Sequence, residues 1–274
     1  MTGTSLLSKL TTSFSNGRVR YFMEVGPHVV ALHHWIGQRV QLEFTGKRVC
    51  QSCRKEVPLF YRMGYCKPCF FSDPGAGDAI LHPEKSLAHL GIADRDLAVE
   101  QAYQIQPHVV YLAHTGGVKV GVTGARYRWN RWMDQGADKA VVVARTENRF
   151  DAGQMEVFLK DYFSDKTQWQ WMVTNRQDSG ADLRKAQETA RAVLTDTFQS
   201  FLSSPGQEEV VHLQYPVSSY PMEPKSTGFD NNPCISGILI GIRGQYLLFK
   251  DGSVFNVRSH EGYEAVLTFS SIKD

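Results

Sequence analysis

The chain has 274 residues, 42% of them hydrophobic and 11% aromatic, with 30 basic against 28 acidic side chains for a formal charge of +2. That length suits one large domain or two to three small ones, and the apolar content supports real cores, which excludes a wholly disordered protein. No run approaches 18 apolar residues, so no membrane partner is expected. The opening MTGTSLLSKLTTSF has no signal-peptide pattern, and five cysteines, four of them closely paired, are no secreted disulfide framework; a reducing cytoplasm is the expected compartment.

In chain order, residues 1–46 form an expected N-terminal β segment. Arg18 to Val25 alternates like a strand, Arg39 to Phe44 is apolar at Val40, Leu42 and Phe44, and residues 31–36 read as a short turn or helix between them. Residues 47–77 hold two Cys-x-x-Cys pairs, Cys50/Cys53 and Cys66/Cys69, with twelve residues between the pairs. Each pair lets two sulfurs reach one ion from a tight turn, and four thiolates at this spacing are the donor set of a structural zinc site. The segment is too short to bury a core of its own, so metal binding supplies its folding energy. A closed four-cysteine site keeps no open coordination position, so its expected role is to present Arg54, Lys55, Arg62 and Lys67 to a partner.

Residues 78–107 read as a polar connector, with a helix over Arg95 to Tyr103; His82, His89 and His108 are expected to be surface or capping residues. Residues 108–204 form a central domain. Val109–Ala113 and Val118–Val122 are two β runs around Gly116-Gly117, a hairpin signal, and Ala140–Ala144 is a third strand. Phe150 to Phe163 reads as a helix with Met155, Phe158, Leu159, Tyr162 and Phe163 on its apolar face, and Asp182 to Leu202 as a second, ended by Pro205-Gly206. Residues 205–274 are β-rich again: Val210 to Tyr215, then Cys234 to Phe249, Val254 to Val257 and Ala265 to Phe269. These short strands suggest a small OB- or SH3-like barrel that the N-terminal strands complete. Cys234 has no partner and is expected to be buried.

Charge is unevenly placed. Thr45 to Phe71 carries six basic residues against one acid, and Gly116 to Trp132 carries Lys119, Arg126, Arg128 and Arg131 with none, which leaves the rest of the chain acidic. Two basic islands on an acidic body are the footprint of an anionic partner, DNA or RNA, with Arg126 and Arg128 candidates for phosphate contact beside the four basic residues of the cysteine element.

The order strand, turn, strand, arginine-bearing helix, strand, glutamate-bearing helix resembles the GIY-YIG nuclease domain. Val110-Tyr111-Leu112 matches its first motif through the tyrosine, Lys119-Val120-Gly121 the second with lysine for tyrosine, Arg131 the helical arginine and Glu156 the metal-binding glutamate. The first motif lacks its glycine and isoleucine. Arg131 lies further from Gly121 than is usual, which makes Arg128 a rival, and Gln135 stands where a histidine or tyrosine is common. The wider chain is similar to an uncharacterised bacterial family of unknown function that joins a four-cysteine zinc-binding element to a GIY-YIG-like centre, through HVVYLAHTGGVKVGVT, RWMDQGA and DKTQW.

The resemblance implies an α+β fold: a GIY-YIG-like three-stranded sheet with flanking helices, a zinc-ribbon-like element and a β-rich portion from both termini. It also implies a catalytic set of Tyr111, Lys119, Arg131 and Glu156, in which Glu156 holds Mg²⁺ or Mn²⁺, Arg131 binds the phosphate, and Tyr111 with Lys119 activates or orients water. The plainer alternatives are a half-buried strand tyrosine, an Arg131–Asp134 pair, an exposed Glu156–Lys160 pair at i,i+4, and Trp129 and Trp132 as packing residues. On those alternatives the protein is a non-catalytic nucleic-acid-binding module or, more remotely, a protein-interaction scaffold.

Overall fold

β-branched and polar residues alternate at both ends of the chain, and these distant ends build one sheet. The computed structural model describes residues 1–176, 182–194, 196–203 and 206–272. Its first strands are β1 (Thr2–Leu6), β2 (Thr11–Ser15), β3 (Arg18–Val25), β4 (His28–Ala31), β5 (Arg39–Val49) and β6 (Glu56–Val57), followed by short helices α1 (Lys67–Ser72), α2 (Asp78–Leu81) and α3 (Leu97–Gln104). The middle holds β7 (His108–His114), β8 (Val118–Gly124), α4 (Arg128–Asp134), β9 (Lys139–Thr146), α5 (Arg149–Leu159), α6 (Trp169–Val173), α7 (Leu183–Val193) and β10 (Val211–His212). The end supplies β11 (Lys225–Thr227), β12 (Cys234–Arg243), β13 (Tyr246–Phe249), β14 (Ser253–Asn256) and β15 (Tyr263–Ser270).

Two compact units result. One comprises Met1–Phe70, Gln170–Arg176 and Gln214–Asp274; the other comprises Phe71–Trp169 and Gln177–Leu213. In the terminal unit, β1-β15-β5-β12-β13-β14-β11 form one sheet, with β6 added to β5, and β2-β3-β4 form a second. Leu42 of β5 sits opposite both Leu267 and Ile235, so strands more than 190 residues apart share one core layer. Leu42, Leu239, Phe249, Phe255 and Leu267 are fully buried there, each contributing about 1.5–3 kcal/mol by leaving water.

Both termini therefore join in a β-rich portion, as expected, but not as a small barrel. β1 and β11 end the sheet at opposite sides and do not pair with each other. Two further expectations are corrected. Cys234–Phe249 is not one strand but a hairpin folded at Gly244, whose φ of 61° suits glycine. Cys234 is exposed rather than buried.

In the central unit β8-β7-β9 form the expected antiparallel sheet, and β10 adds a fourth strand, Val211 pairing with Ala140. The strand expected over Val210 to Tyr215 as part of the C-terminal β segment is thus only two residues long and pairs with the central sheet instead. Residues of β7 alternate between two faces. Val110 and Leu112, with Val120, Val122, Val141 and Val143, pack against Ala152, Met155 and Leu159 of α5 and Leu183, Ala190 and Leu194 around α7. Tyr111, Ala113, Lys119 and Gly121 share the opposite face.

Asn148 caps α5 by accepting from Asp151 N at 2.9 Å, and Asp182 caps α7 from Arg184 N at 2.9 Å. α5 is shorter than expected, and Phe158 and Tyr162 are exposed beside buried Met155 and Leu159. α7 ends at Val193 and is followed by a 3-10 turn, Asp196–Phe201; threonine and serine in that stretch compete with helical backbone bonds. Thr195 and Pro205 lie outside the described residues. Among the described residues no helix is long and apolar enough to cross a membrane.

Candidate functional site

Two groups of side chains, one in each unit, can do chemistry. The first follows from local turns. β5 runs out at Val49, and the chain turns tightly over the first cysteine pair, Arg54 N donating to Cys50 O at 3.0 Å with Arg54 itself at φ 59°. A second turn, Arg62 to Tyr65, delivers Cys66, and α1 carries Cys69. The four sulfurs all lie within 4.8 Å of one another, and Cys53 Sγ is 4.0 Å from Cys66 Sγ. A tetrahedral zinc with bonds of about 2.3 Å sets its sulfurs roughly 3.8 Å apart, so the four can hold one metal ion with little movement.

Burial pushes the Cys50 thiol up, but N–H groups of Cys66, Cys53 and Ser52 outweigh it and hold the thiol down at about 6, favouring the thiolate a metal requires. Cys66 N lies 3.3 Å from Cys50 Sγ. Arg54, Lys55, Arg62 and Lys67 surround the cluster and are exposed, and among the described residues none is in an ion pair.

The second group is assembled from distant elements. Tyr111 sits on central strand β7, opposite Gly121 of edge strand β8. Its ring lies across that glycine so closely that a Cβ there would meet Tyr111 Oη at 2.5 Å. Lys119, two residues earlier on β8, shares the face and reaches Thr167 Oγ1 at 3.4 Å. α4 brings Arg131 and, four residues on, Gln135. With its amide oxygen turned to the guanidinium, Gln135 accepts from Arg131 Nε at 2.8 Å and Nη2 at 3.2 Å, while its nitrogen donates to Tyr111 Oη at 3.1 Å. Trp132 closes the tyrosine edge-on at 6.0 Å. α5 contributes Glu156, whose charge acts on Tyr111, Lys119 and Arg131 alike.

Burial dominates the electrostatics. Tyr111 is 0% exposed, Lys119 6% and Glu156 9%. Loss of water raises the Tyr111 hydroxyl pKa, against the pull of Arg131, and keeps the phenol protonated. It lowers the Lys119 ammonium to about 8, helped by the Arg131 charge and opposed by Glu156 and Asp165. It raises the Glu156 carboxyl, against Lys160, Lys119 and Arg149. For Arg131 burial works the other way, and Tyr111, Asp134 and Glu156 outweigh it to keep the guanidinium charged.

Tyr111, Gln135 and Arg131 are joined by hydrogen bonds, and Lys119 and Glu156 act on them through charge. The exposed Glu156–Lys160 pair does not form: Glu156 is buried and Lys160 pairs with Asp165 at 3.4 Å. Arg128, the rival arginine, donates to Ala125 O at 2.9 Å, and Arg126 lies over the Tyr127 ring at 4.5 Å, both at the start of α4. Trp132 is packing, stacked edge-on against Trp129 at 5.3 Å.

Two members were not singled out as site residues. Gln135, noted only as a departure from the family pattern, lies at i+4 from Arg131, the spacing that puts two side chains on one helix face. Arg149 carried no signal. It is buried, donates to Ala79 O at 2.8 Å and Ile80 O at 2.9 Å, and adds positive charge near Glu156. Of the histidines expected at the surface or as caps, His89 stacks on Phe150 at 4.8 Å, whereas His108 is buried and bonded to Gln106 O at 2.7 Å, its pKa driven to about 4 by burial. Among the described residues the four cysteines are the one group of three or more Cys, His, Asp or Glu close enough to share an ion.

A family described as protein of unknown function, DUF2797, matches residues 37–265. No curated protein and no solved structure matches the chain.

Proposed function

The chain belongs to the DUF2797 family, and we propose that it is a zinc-bearing nucleic-acid-binding protein whose central unit, GIY-YIG-like in design, hydrolyses phosphodiesters. The reading rests on one observation: Tyr111, Lys119, Arg131 and Glu156 come from β7, β8, α4 and α5 and enter one shared field. Zinc is the ion that four thiolates at this spacing suit, and a reducing compartment such as the cytoplasm keeps the thiols available. Its role is to fold the segment that displays Arg54, Lys55, Arg62 and Lys67 to the phosphate backbone.

In the central unit Arg131 binds a non-bridging phosphate oxygen, with Gln135 fixing the plane of its guanidinium. Lys119, near 8, is the group able to take the proton of an attacking water; its neutral amine gains the proton as the water oxygen bonds to phosphorus and the leaving oxygen departs. Tyr111 stays protonated and orients the water rather than acting as a base. Glu156 supplies the single hard oxygen donor that Mg²⁺ or Mn²⁺ takes beside water and substrate phosphate, and such an ion would stabilise charge on the leaving oxygen. The cations around Glu156 oppose that ion, so its affinity without substrate is expected to be weak.

A second reading, a non-catalytic nucleic-acid-binding module, is favoured by the burial of Tyr111 and Glu156. One experiment separates the two. Single-stranded, duplex and branched DNA and RNA are incubated with the full chain, with and without Mg²⁺ or Mn²⁺, beside Glu156→Gln and Arg131→Ala. Cleavage by the wild type that falls a hundredfold or more in either variant supports hydrolysis. Salt-sensitive binding without cleavage of any substrate leaves the binding module, and binding indifferent to salt removes both readings.

A further inference from the structure

The terminal unit carries a basic face that neither cluster uses. Residues two apart on a strand share a face, so β3 places Arg18, Arg20 and Phe22 together, opposite Ser15, Ser13 and Thr11 of β2. The turn Leu32–Trp35 brings two histidines alongside: His33 meets the Phe22 ring edge-on at 5.7 Å, and His34 lies 4.4 Å from His33. Tyr215, on the segment Gln214–Val217, forms the facing wall. Backbone bonds fix that wall on both sides. Val19 N donates to Gln214 O at 2.8 Å and Gln214 N to Gly17 O at 2.8 Å, while Ile242 N donates to Pro216 O at 3.0 Å and Ser218 N to Ile240 O at 2.8 Å.

Between the walls runs a groove of about 690 Å³ with no acidic residue in its lining. Glu24 continues the same face of β3 beyond Phe22, outside the groove. Arg18 and Arg20 are exposed, and among the described residues neither is in an ion pair. Burial, opposed by the Tyr21 carbonyl and aided by His34 and Arg20, holds the His33 imidazole below its ordinary range. The Cα atoms of Arg18 and Arg20 stand about 6.6 Å apart along the strand, and their exposed side chains can reach separate phosphates. The aromatic rings offer flat apolar surface, which an unpaired base covers and a paired base cannot reach. A preformed groove of this size is within the range of about 300–1,000 Å³ typical of ligand sites.

We propose that this groove binds single-stranded nucleic acid, with Arg18 and Arg20 on successive phosphates and a base laid on the Phe22–His33–His34 wall. The proposal takes its ligand class from the nucleic-acid reading above but uses no residue of the cysteine cluster or of the buried cluster. Fluorescence anisotropy of the zinc-loaded full chain with labelled dT12 and rU12 tests it. Each phosphate contact to a single strand contributes about 0.7 to the slope of log affinity against log salt. The Arg18→Ser/Arg20→Ser variant should bind tenfold or more weakly with a slope smaller by about 1.4. Phe22→Leu should weaken binding about tenfold with the slope unchanged. Both should keep the wild-type circular-dichroism melt.

A double variant with wild-type affinity and slope overturns the groove. If Arg54→Ser/Lys55→Ser loses binding while the groove variant does not, the nucleic-acid reading survives and the groove alone falls; if wild type binds neither oligonucleotide, both fall. Competition by adenosine monophosphate as strong, per phosphate, as by dT12 would assign the groove to free nucleotides and overturn the strand. Equal competition by a blunt duplex of the same length would remove the role of the unpaired base.

Discussion

The cysteine cluster and the buried cluster are assembled by opposite routes. The cysteines lie within twenty residues, Cys50 buried and Cys53 exposed, on short local elements whose sulfurs could hold one ion. Tyr111, Lys119, Arg131 and Glu156 span 46 residues and are placed by a sheet and two helices that are already packed. On the zinc reading proposed above, one site is made by its ligand; the other is imposed by its fold, at the cost of burying charge. The first should collapse locally when its ligand leaves. The second should respond to charge and to shape.

Zinc removal is expected to give the largest effect. Structural zinc binds with an apparent free energy of about 10–16 kcal/mol. Chelation or Cys53→Ser should therefore abolish hydrogen-exchange protection over residues 50–69 while β5, β7 and β9 keep theirs, and elemental analysis should find one zinc per chain. A metal-free protein with that segment still protected would erase the contrast.

Next comes Glu156→Ala. It removes the carboxylate whose charge offsets the repulsion of Arg131 on Lys119; because burial already holds that carboxyl above its ordinary range, the loss should stay below the about 3–5 kcal/mol of a broken buried ion pair. A urea midpoint close to wild type would mean that the cluster is not electrostatically joined.

Lys119 gives a smaller effect of opposite sign. Its ammonium titrates near 8 in the fold and near 10.4 in the unfolded chain. The unfolded state therefore binds more protons between those values, and the cost of burying the charge is fully present below pH 8 and relieved as pH rises to about 10.4. Lys119→Met should then be more stable than wild type at pH 7 by about 1–3 kcal/mol, with the difference shrinking across that window. A difference independent of pH would mean that the ammonium is not the source.

The smallest effect expected is that of Gly121→Ala, a clash of Cβ with the Tyr111 ring worth about 1–3 kcal/mol. It should largely vanish in a Tyr111→Leu background; additive losses would show that the two residues do not meet.

The two routes also explain what the chain disclosed in advance. Cys50, Cys53, Cys66 and Cys69 announce themselves because the chemistry of two tight turns is local. Tyr111 and Gly121 were legible because strand alternation and a Gly-Gly turn fix their register, and the structure adds why position 121 takes glycine: the Tyr111 ring occupies the space of a side chain there. Choosing Arg131 over Arg128 needed the helix start, which residue spacing along the chain could not place. β10, the open sheet in place of a barrel, and the Arg18–Arg20 groove all depend on pairings between residues far apart in sequence. Arg149 joined the buried cluster only because its guanidinium is tied to carbonyls of Ala79 and Ile80, a contact no periodicity records.

The central claim is that the buried cluster performs hydrolysis with Lys119 as proton acceptor. Its most direct test is the pH dependence of phosphodiester cleavage by wild type between pH 6 and 10. The rate should rise through a midpoint near 8, the value to which burial brings the Lys119 ammonium, and Lys119→Met should lose the activity while remaining folded. No cleavage at any pH, or cleavage by Lys119→Met with the wild-type profile, would contradict it.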